Sequence, residues 1–194
     1  RFGGNEDTTG DTTPSTQDTQ PSTQDTQPST EDTQDTLGTG ESSGAKILSG
    51  IWGAYADEER FAAYGGTVEH SVADAPGDLD MNNTDELTTK YLLPVEQLSM
   101  VKSAASLVHL MNSNIFTGVV FEVEGSVSDL AEAIRKNVQN TQWICGQPDQ
   151  LLMAELQGHL LMAFGGTEAM DTFRSKLKEV HADAKILYDE AITA

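Results

Sequence analysis

The chain has 194 residues, and 11 Lys and Arg side chains against 31 Asp and Glu side chains give it a formal net charge of −20. This balance argues against nucleic acid as a partner, because phosphate binding needs a basic surface, and against electrostatic binding to anionic lipid. No apolar stretch approaches the length of a membrane-spanning helix. The single cysteine excludes an internal disulfide framework and any multi-cysteine zinc or iron–sulfur site.

The composition divides the chain into a polar segment and a domain. Residues 1–44 hold two apolar side chains, twelve threonines, and nine acidic residues against one base. A seven-residue repeat, STQDTQP, occupies 15–21 and 22–28. Because this segment buries too little apolar surface to offset the entropy of ordering it, we predict a disordered acidic Thr/Ser/Pro-rich spacer over 1–44. A single domain is predicted over 45–194.

Helical spacing of apolar residues marks the start of the domain. A helix is predicted over 45–56. Its apolar face consists of Ile47, Leu48, Ile51, Trp52 and Tyr55. Residues 67–83 are predicted to be irregular, a short helix is expected to be capped by Thr84, and another short helical segment is expected after Pro94.

Two similar strand–strand–helix units follow. The strands are predicted at 104–111, 115–124, 151–156 and 159–164, with a last edge strand at 184–188, and the helices at 126–139 and 167–180. The units align at an offset of 40 residues, so that Gly118 matches Gly158 and Gly125 matches Gly165. We therefore predict an α+β fold: an antiparallel sheet of four to five strands built from two β-β-α units, with both helices on one face, the other face solvated, and an N-terminal helical segment.

Five segments together resemble a known family. They read IWGAYADEERFAAYGG, VADAPGDLD, SLVHLMNSNIFTGVVFEV, QWICGQPD and ILYDEAI. They resemble uncharacterised bacterial lipoproteins, a domain of unknown function common in anaerobic Gram-positive bacteria of the gut, and the likeness covers nearly all of 45–194. The resemblance implies an extracytoplasmic, cell-surface protein held at the membrane only by a lipid anchor, and it implies no catalytic or binding residues. The acylated cysteine of a lipoprotein is not in this chain, and because residue 1 is Arg we expect a processed or trimmed product.

One segment resembles the start of a calcium-binding loop. Asp78, Asp80 and Asn82 supply oxygen donors at positions 1, 3 and 5. Position 6 is Asn83 instead of Gly, and position 12 is Thr89 instead of the bidentate Glu, so the affinity is expected to be poor. The alternative is a solvated acidic loop that leads into the next helix.

Other reactive residues give weaker signals. Cys145 lacks a sequence context for catalysis, and a lone cysteine is usually a small buried apolar residue. His109 and His159 lie on predicted strands that could in principle bring them close together. Two histidines alone, however, do not complete the ligand set of a catalytic zinc site. Trp52 and Tyr55 are expected in the core, whereas exposed aromatic residues can bind sugars or peptides.

The leading hypothesis for function is a surface-tethered, non-catalytic binding or accessory module outside the cell. One alternative is an enzyme of unrecognised type that acts on cell-wall or extracellular material. A second alternative is a protein–protein interaction module that uses the uncovered sheet face. We expect an extracellular ligand or protein as the partner, and we expect neither nucleic acid nor a cofactor.

Overall fold

The computed structural model describes residues 42–194. The predicted spacer lies outside the described residues except for its last three positions: Ser42 caps the first helix, and residues 43 and 44 belong to it. The strands are β1 Ala63–Gly65, β2 Val72–Ala73, β3 Gly77–Asp78, β4 Val101–His109, β5 Phe116–Val123, β6 Gln150–Leu156, β7 His159–Gly165 and β8 Lys185–Ala191. The helices are α1 Ser43–Gly53, α2 Thr84–Thr89, α3 Val127–Asn140 and α4 Thr167–Val180, with 3₁₀ turns at Asp57–Glu59, Val68–His70 and Val95–Met100.

The strands form one eight-stranded sheet in the order β2-β1-β4-β5-β7-β6-β8, with β3 also paired to β4. All pairs are antiparallel. The α+β class and the antiparallel sheet are confirmed, but the predicted count of four to five strands is wrong. The additional strands are β1 to β3, of two or three residues each. They are too short for an alternating apolar pattern, and long-range pairing with β4 stabilises them.

Local capping signals fix the ends of the predicted helices. The Ser42 hydroxyl accepts a hydrogen bond from the Ala45 N–H at the start of α1, and the Ser126 hydroxyl accepts one from the Asp129 N–H at the start of α3. The cap of α2 is Asn83 and not Thr84, because the Asn83 side chain accepts from the Glu86 N–H.

Helices cover both faces of the sheet, so the prediction of two helices on one face with the other face solvated is wrong. On one face, α3 packs on Leu160 and Met162 of β7. On the opposite face, α1 and α4 pack on Leu161 and Ala163 of the same strand. The central strands are accordingly apolar at nearly every position, which is the pattern of a sheet buried on both faces.

The topology explains why the two long helices separate. β5 and β6 run parallel with β7 between them, and β7 and β8 run parallel with β6 between them. The connections through α3 and α4 step across the sheet in the same direction, but they start from antiparallel strands. Crossovers of one hand must then place their helices on opposite faces, and such crossovers are right-handed in nearly all proteins.

Candidate functional site

A cleft of about 580 Å³ opens where four elements converge: the turn after α1, the end of β4, the hairpin between β4 and β5, and the first turn of α4. Its lining combines aromatic, acidic and small polar side chains. The lining residues are Tyr55, Glu58, Glu59, Phe61, His109, Ile115, Asp149, Gly166, Thr167, Glu168, Ala169 and Thr172. Two other depressions, beside α3 and beside the end of α4, are smaller, at about 410 Å³ and 350 Å³.

Aromatic rings form one wall of the cleft. The Tyr55 and Phe61 rings pack edge to face with centroids 6.4 Å apart, and both contact the Trp52 ring. Phe61 in turn packs on Phe116 from β5, which contacts Phe173 of α4. This chain of rings connects the cleft wall to the core, so the wall is rigidly supported. The core positions predicted for Trp52 and Tyr55 are confirmed.

The side chain of Tyr55 combines burial in the cleft wall with an unpaired polar atom. The residue is 4% exposed, and its hydroxyl has no hydrogen-bond partner among residues 42–194. An unpaired buried hydroxyl costs roughly 1–3 kcal/mol. Burial, and secondarily the charge of Glu59, raise the pKa of Tyr55, so the phenol stays neutral and is able both to donate and to accept.

The carboxylates of the cleft fall into two groups. Glu59 accepts hydrogen bonds from the Ala56 N–H and from the Lys176 ammonium, 2.9 Å away, and these contacts lower its pKa. Asp149 accepts from the N–H and the hydroxyl of Thr167 at 2.9 and 3.1 Å. Glu58 and Glu168 are exposed and have no ion-pair partner among residues 42–194.

The cleft residues Ile115 and Asp149 belong to two neighbouring loops that are joined by asparagine side chains. The Asn114 amide donates to the carbonyls of Ile144 and Gly146 at 2.7 and 2.5 Å, and the Asn112 amide donates to the carbonyl of Cys145 at 3.1 Å. These bonds tie the 110–115 hairpin to the 141–149 loop. The joined loops expose apolar side chains: Leu110, Met111 and Ile144, which we call the apolar rim.

The cleft lies at the end of the sheet opposite to Ser42, where the described residues begin. The Ser43 hydroxyl is 2.7 Å from Nε2 of His159 at the start of β7, whereas the cleft includes Gly166, just after the end of that strand. Gly165 lies six positions after His159 along β7, which corresponds to about 20 Å.

Two of the residues predicted to bind calcium, Asp78 and Asp80, accept hydrogen bonds from different neighbours. The Asp78 carboxylate accepts from the Ser42 hydroxyl, and the Asp80 carboxylate accepts from the Asn82 N–H at 2.9 Å. Among residues 42–194, no three His, Cys, Asp or Glu side chains are grouped to hold a metal ion. The calcium site stays a prediction.

The other predicted residues do not meet. Cys145 is exposed and has a positive φ of 64°, so it is not the small buried residue that a lone cysteine suggests. His109 ends β4 beside the cleft, while His159 lies opposite Glu122 at the far end of the sheet. The suggested approach of His109 to His159 is therefore wrong, because the register places them at opposite ends.

Sequence patterns identify part of the cleft only. They mark Tyr55 as a buried aromatic, but they do not connect it with Glu58, Glu168 or Asp149. The available signals were the acidic run directly after α1 and the Gly-Gly-Thr segment that opens α4. Their convergence depends on the pairing of β5 with β7, which local periodicity does not contain.

Comparisons of the chain with family models, with curated proteins and with solved structures gave no match. The lipoprotein resemblance therefore stays a prediction. Among residues 42–194, no helix combines the length and the apolar character needed to cross a membrane.

Proposed function

We propose that this protein is a non-catalytic binding module, tethered outside the cell, whose ligand occupies the cleft beside the first turn of α4. The single observation that carries the proposal is the unpartnered, buried hydroxyl of Tyr55 in a cleft wall built from aromatic rings. A ligand that hydrogen-bonds this hydroxyl removes a free-energy cost that the unliganded protein carries.

The chemistry of the cleft favours binding over catalysis. A general acid needs a raised carboxyl pKa, whereas the contacts of Glu59 with the Ala56 N–H and Lys176 lower the pKa of that carboxyl. Cys145 is not among the residues that line the cleft. Neither Glu59 nor Cys145 therefore supports the enzyme alternative.

The position of Ser42 supports the tethered arrangement. Ser42, the first described residue, lies at the end of the domain opposite to the cleft, so its own position leaves the entry of the cleft open. The acidic, repetitive composition of 1–44 suits an extended spacer. Fractionation of the native cells tests this part separately: recovery of the protein in the cytoplasmic fraction would contradict it.

A thermal-shift screen of the full chain tests binding. The probes are muropeptides, simple glycans, short peptides and small amines, and a ligand that binds only the folded state raises the melting temperature with concentration. Ile115→Trp fills the cleft, and Ile186→Trp is the matched control, because both residues are 42% exposed and Ile186 lies on β8. We expect a shift that persists in Ile186→Trp and disappears in Ile115→Trp. A shift that persists in Ile115→Trp, or no shift with any probe class, would contradict the proposal.

A further inference from the structure

The residues of the cleft indicate which chemical class of ligand it takes. Resting on the proposed function, we infer that the ligand is an organic cation: an ammonium or guanidinium group joined to an aromatic or aliphatic portion. The argument uses the charges left unpaired in the cleft, the buried Tyr55 hydroxyl, and the apolar surfaces beside them.

The unpaired charges of the cleft are negative. Lys176 neutralises Glu59, and the remaining partnered carboxylate, Asp149, is occupied by Thr167. Glu58 and Glu168 keep their charges without an ion-pair partner among the described residues. Among residues 42–194, the lining contains no Lys or Arg, and burial lowers the pKa of its one described histidine, His109, so that it is neutral at pH 7. A cation entering the cleft is therefore attracted, and an anion is repelled.

The Tyr55 hydroxyl is the second, independent observation. It is buried and unpartnered in the cleft wall, and as a neutral phenol it is able to accept as well as donate a hydrogen bond. Ammonium and guanidinium groups carry several donors and no acceptor. One such group is able to satisfy the Tyr55 oxygen and a carboxylate together, which a group with a single donor cannot do.

Apolar surfaces next to the charges account for the remainder of the ligand. The Phe61 ring lines the cleft and gives its wall an apolar surface. Ile115 also lines the cleft and is 42% exposed. It precedes β5 in the same hairpin loop that carries Leu110 and Met111 of the apolar rim. An aromatic or aliphatic portion would therefore find apolar contacts at the mouth of the cleft.

The first turn of α4 raises the opposite possibility, because a helix N-terminus favours an anion. Here that position already holds an anion of the protein itself. The Asp149 carboxylate accepts from the Thr167 N–H at 2.9 Å, and Glu168 adds a second negative charge in the same turn. A bound anion would have to approach both carboxylates.

Three probes of nearly equal shape separate charge from shape. Phenethylamine is cationic, 2-phenylethanol is neutral and phenylacetate is anionic at pH 7. Each is titrated into the full chain and followed by the backbone amide resonances of Phe61, His109 and Thr167, with N-acetylglucosamine as an unrelated neutral probe. We expect phenethylamine to shift these resonances with an affinity about tenfold above that of 2-phenylethanol, and phenylacetate to leave them unchanged.

Variants then separate the cleft charges from the general field of an acidic protein. Glu58→Gln combined with Glu168→Gln removes the unpaired charges, and Glu124→Gln combined with Glu132→Gln removes the same net charge away from the cleft. We expect about a tenfold loss of phenethylamine affinity in the first pair and less than about a twofold change in the control pair. Tyr55→Phe should weaken phenethylamine binding while the unliganded protein becomes no less stable, because the variant removes an unpaired buried hydroxyl.

The outcomes distinguish this inference from the proposed function. Equal or stronger binding of 2-phenylethanol, phenylacetate or N-acetylglucosamine at the same resonances would overturn the cationic class and leave the binding module standing. Equal losses in the two charge-pair variants would also overturn the cationic class, because the general field would then explain the preference. If no probe shifts the cleft resonances, the cationic class is overturned, and the proposed function is contradicted only if the thermal-shift screen also gives no shift.

Discussion

The imidazole of His109 stacks on the phenyl ring of Phe61, with the ring centroids 5.1 Å apart and the planes inclined by 19°. Nδ1 of His109 accepts a hydrogen bond of 3.1 Å from the Met111 N–H, so the neutral ring carries its proton on Nε2. Protonation of Nδ1 would remove this acceptor. The stacking and the hydrogen bond therefore hold a neutral ring at the wall of the cleft.

This relationship predicts the titration of His109. Burial lowers its pKa, so its NMR titration midpoint should lie below about 6.5, the usual value for histidine. The folded state then binds fewer protons than the unfolded state, and stability is lost as the pH falls from about 6.5 toward the lowered pKa. His109→Phe keeps an aromatic ring and should lack this loss. A midpoint above 6.5, or the same pH dependence of unfolding in His109→Phe, would contradict the prediction.

The burial of both sheet faces predicts similar effects at two adjacent residues. Leu160 packs beneath α3 and Leu161 beneath α1 and α4, and both are fully buried. Leu160→Ala and Leu161→Ala should each lower the free energy of unfolding by about 2–5 kcal/mol. Chemical denaturation measures both. If one face of the sheet were solvated, the substitution on that face would change the free energy of unfolding by less than about 0.5 kcal/mol.

The sequence predicted local structure well and the arrangement of helices poorly. Capping by Ser126 and the apolar spacing of Met170, Phe173 and Leu177 are local features, and the helices they predict are present. The assignment of faces failed because alternation was expected where the strands are apolar throughout. The run from Leu160 to Phe164 already contains the signal for burial on both faces.

Local sequence patterns did not predict the short strands, and the reason is a different one. β1 and β3 approach each other through glycines, and their neighbour β4 is tens of residues away in the chain. The Ser106 hydroxyl accepts from the Gly66 N–H and from the Tyr91 hydroxyl. These contacts hold the segment in place, and no periodicity within 63–78 reports them. Local patterns do not predict the cleft either, because its lining residues are spread along the chain from Tyr55 to Thr172.

The close approach of β1 to residues 75–77 predicts opposite effects at two glycines. A Cβ on Gly65 would lie 2.3 Å from the Gly77 nitrogen, whereas a Cβ on Gly53 would meet no atom within 4 Å. Gly65→Ala should cost about 1–3 kcal/mol or more, because rigid backbone must move. Gly53→Ala, at the end of α1, should add up to about 1 kcal/mol to the free energy of unfolding. A tolerated Gly65→Ala, within about 0.5 kcal/mol of the parent chain, would contradict the close approach.

The asparagine contacts at the rim predict a local effect. Asn114→Asp replaces the donating amide by an acceptor and removes the bonds to the carbonyls of Ile144 and Gly146. Amide hydrogen exchange across 142–148 should accelerate, and the free energy of unfolding should fall by about 1 kcal/mol. Asn140→Asp is the control, because the Asn140 amide donates within α3 to Lys136. Unchanged exchange in the loop, or equal acceleration in the control, would show that Asn114 does not hold the rim.

The pairing of Arg135 with Glu190 predicts a pH-dependent contribution to stability. The guanidinium Nε and Nη2 donate to the two carboxylate oxygens at 2.5 and 2.9 Å and join α3 to the edge strand β8. These bonds, and then a bond from Gln139, lower the pKa of Glu190. At pH 7, Glu190→Gln should cost no more than about 1 kcal/mol, because the pair is partly exposed.

The sign of this dependence follows from the lowered pKa. The contribution of Glu190 is fully present above the unfolded pKa of about 4.3 and disappears as the pH falls through the lower pKa of the folded state. The difference in the free energy of unfolding between the parent chain and Glu190→Gln should therefore shrink in acid. Glu132→Gln, which removes the more exposed pair with Lys136, should show a smaller difference at pH 7. A Glu190→Gln difference that stays constant down to about pH 3 would assign the effect to packing instead of the ion pair.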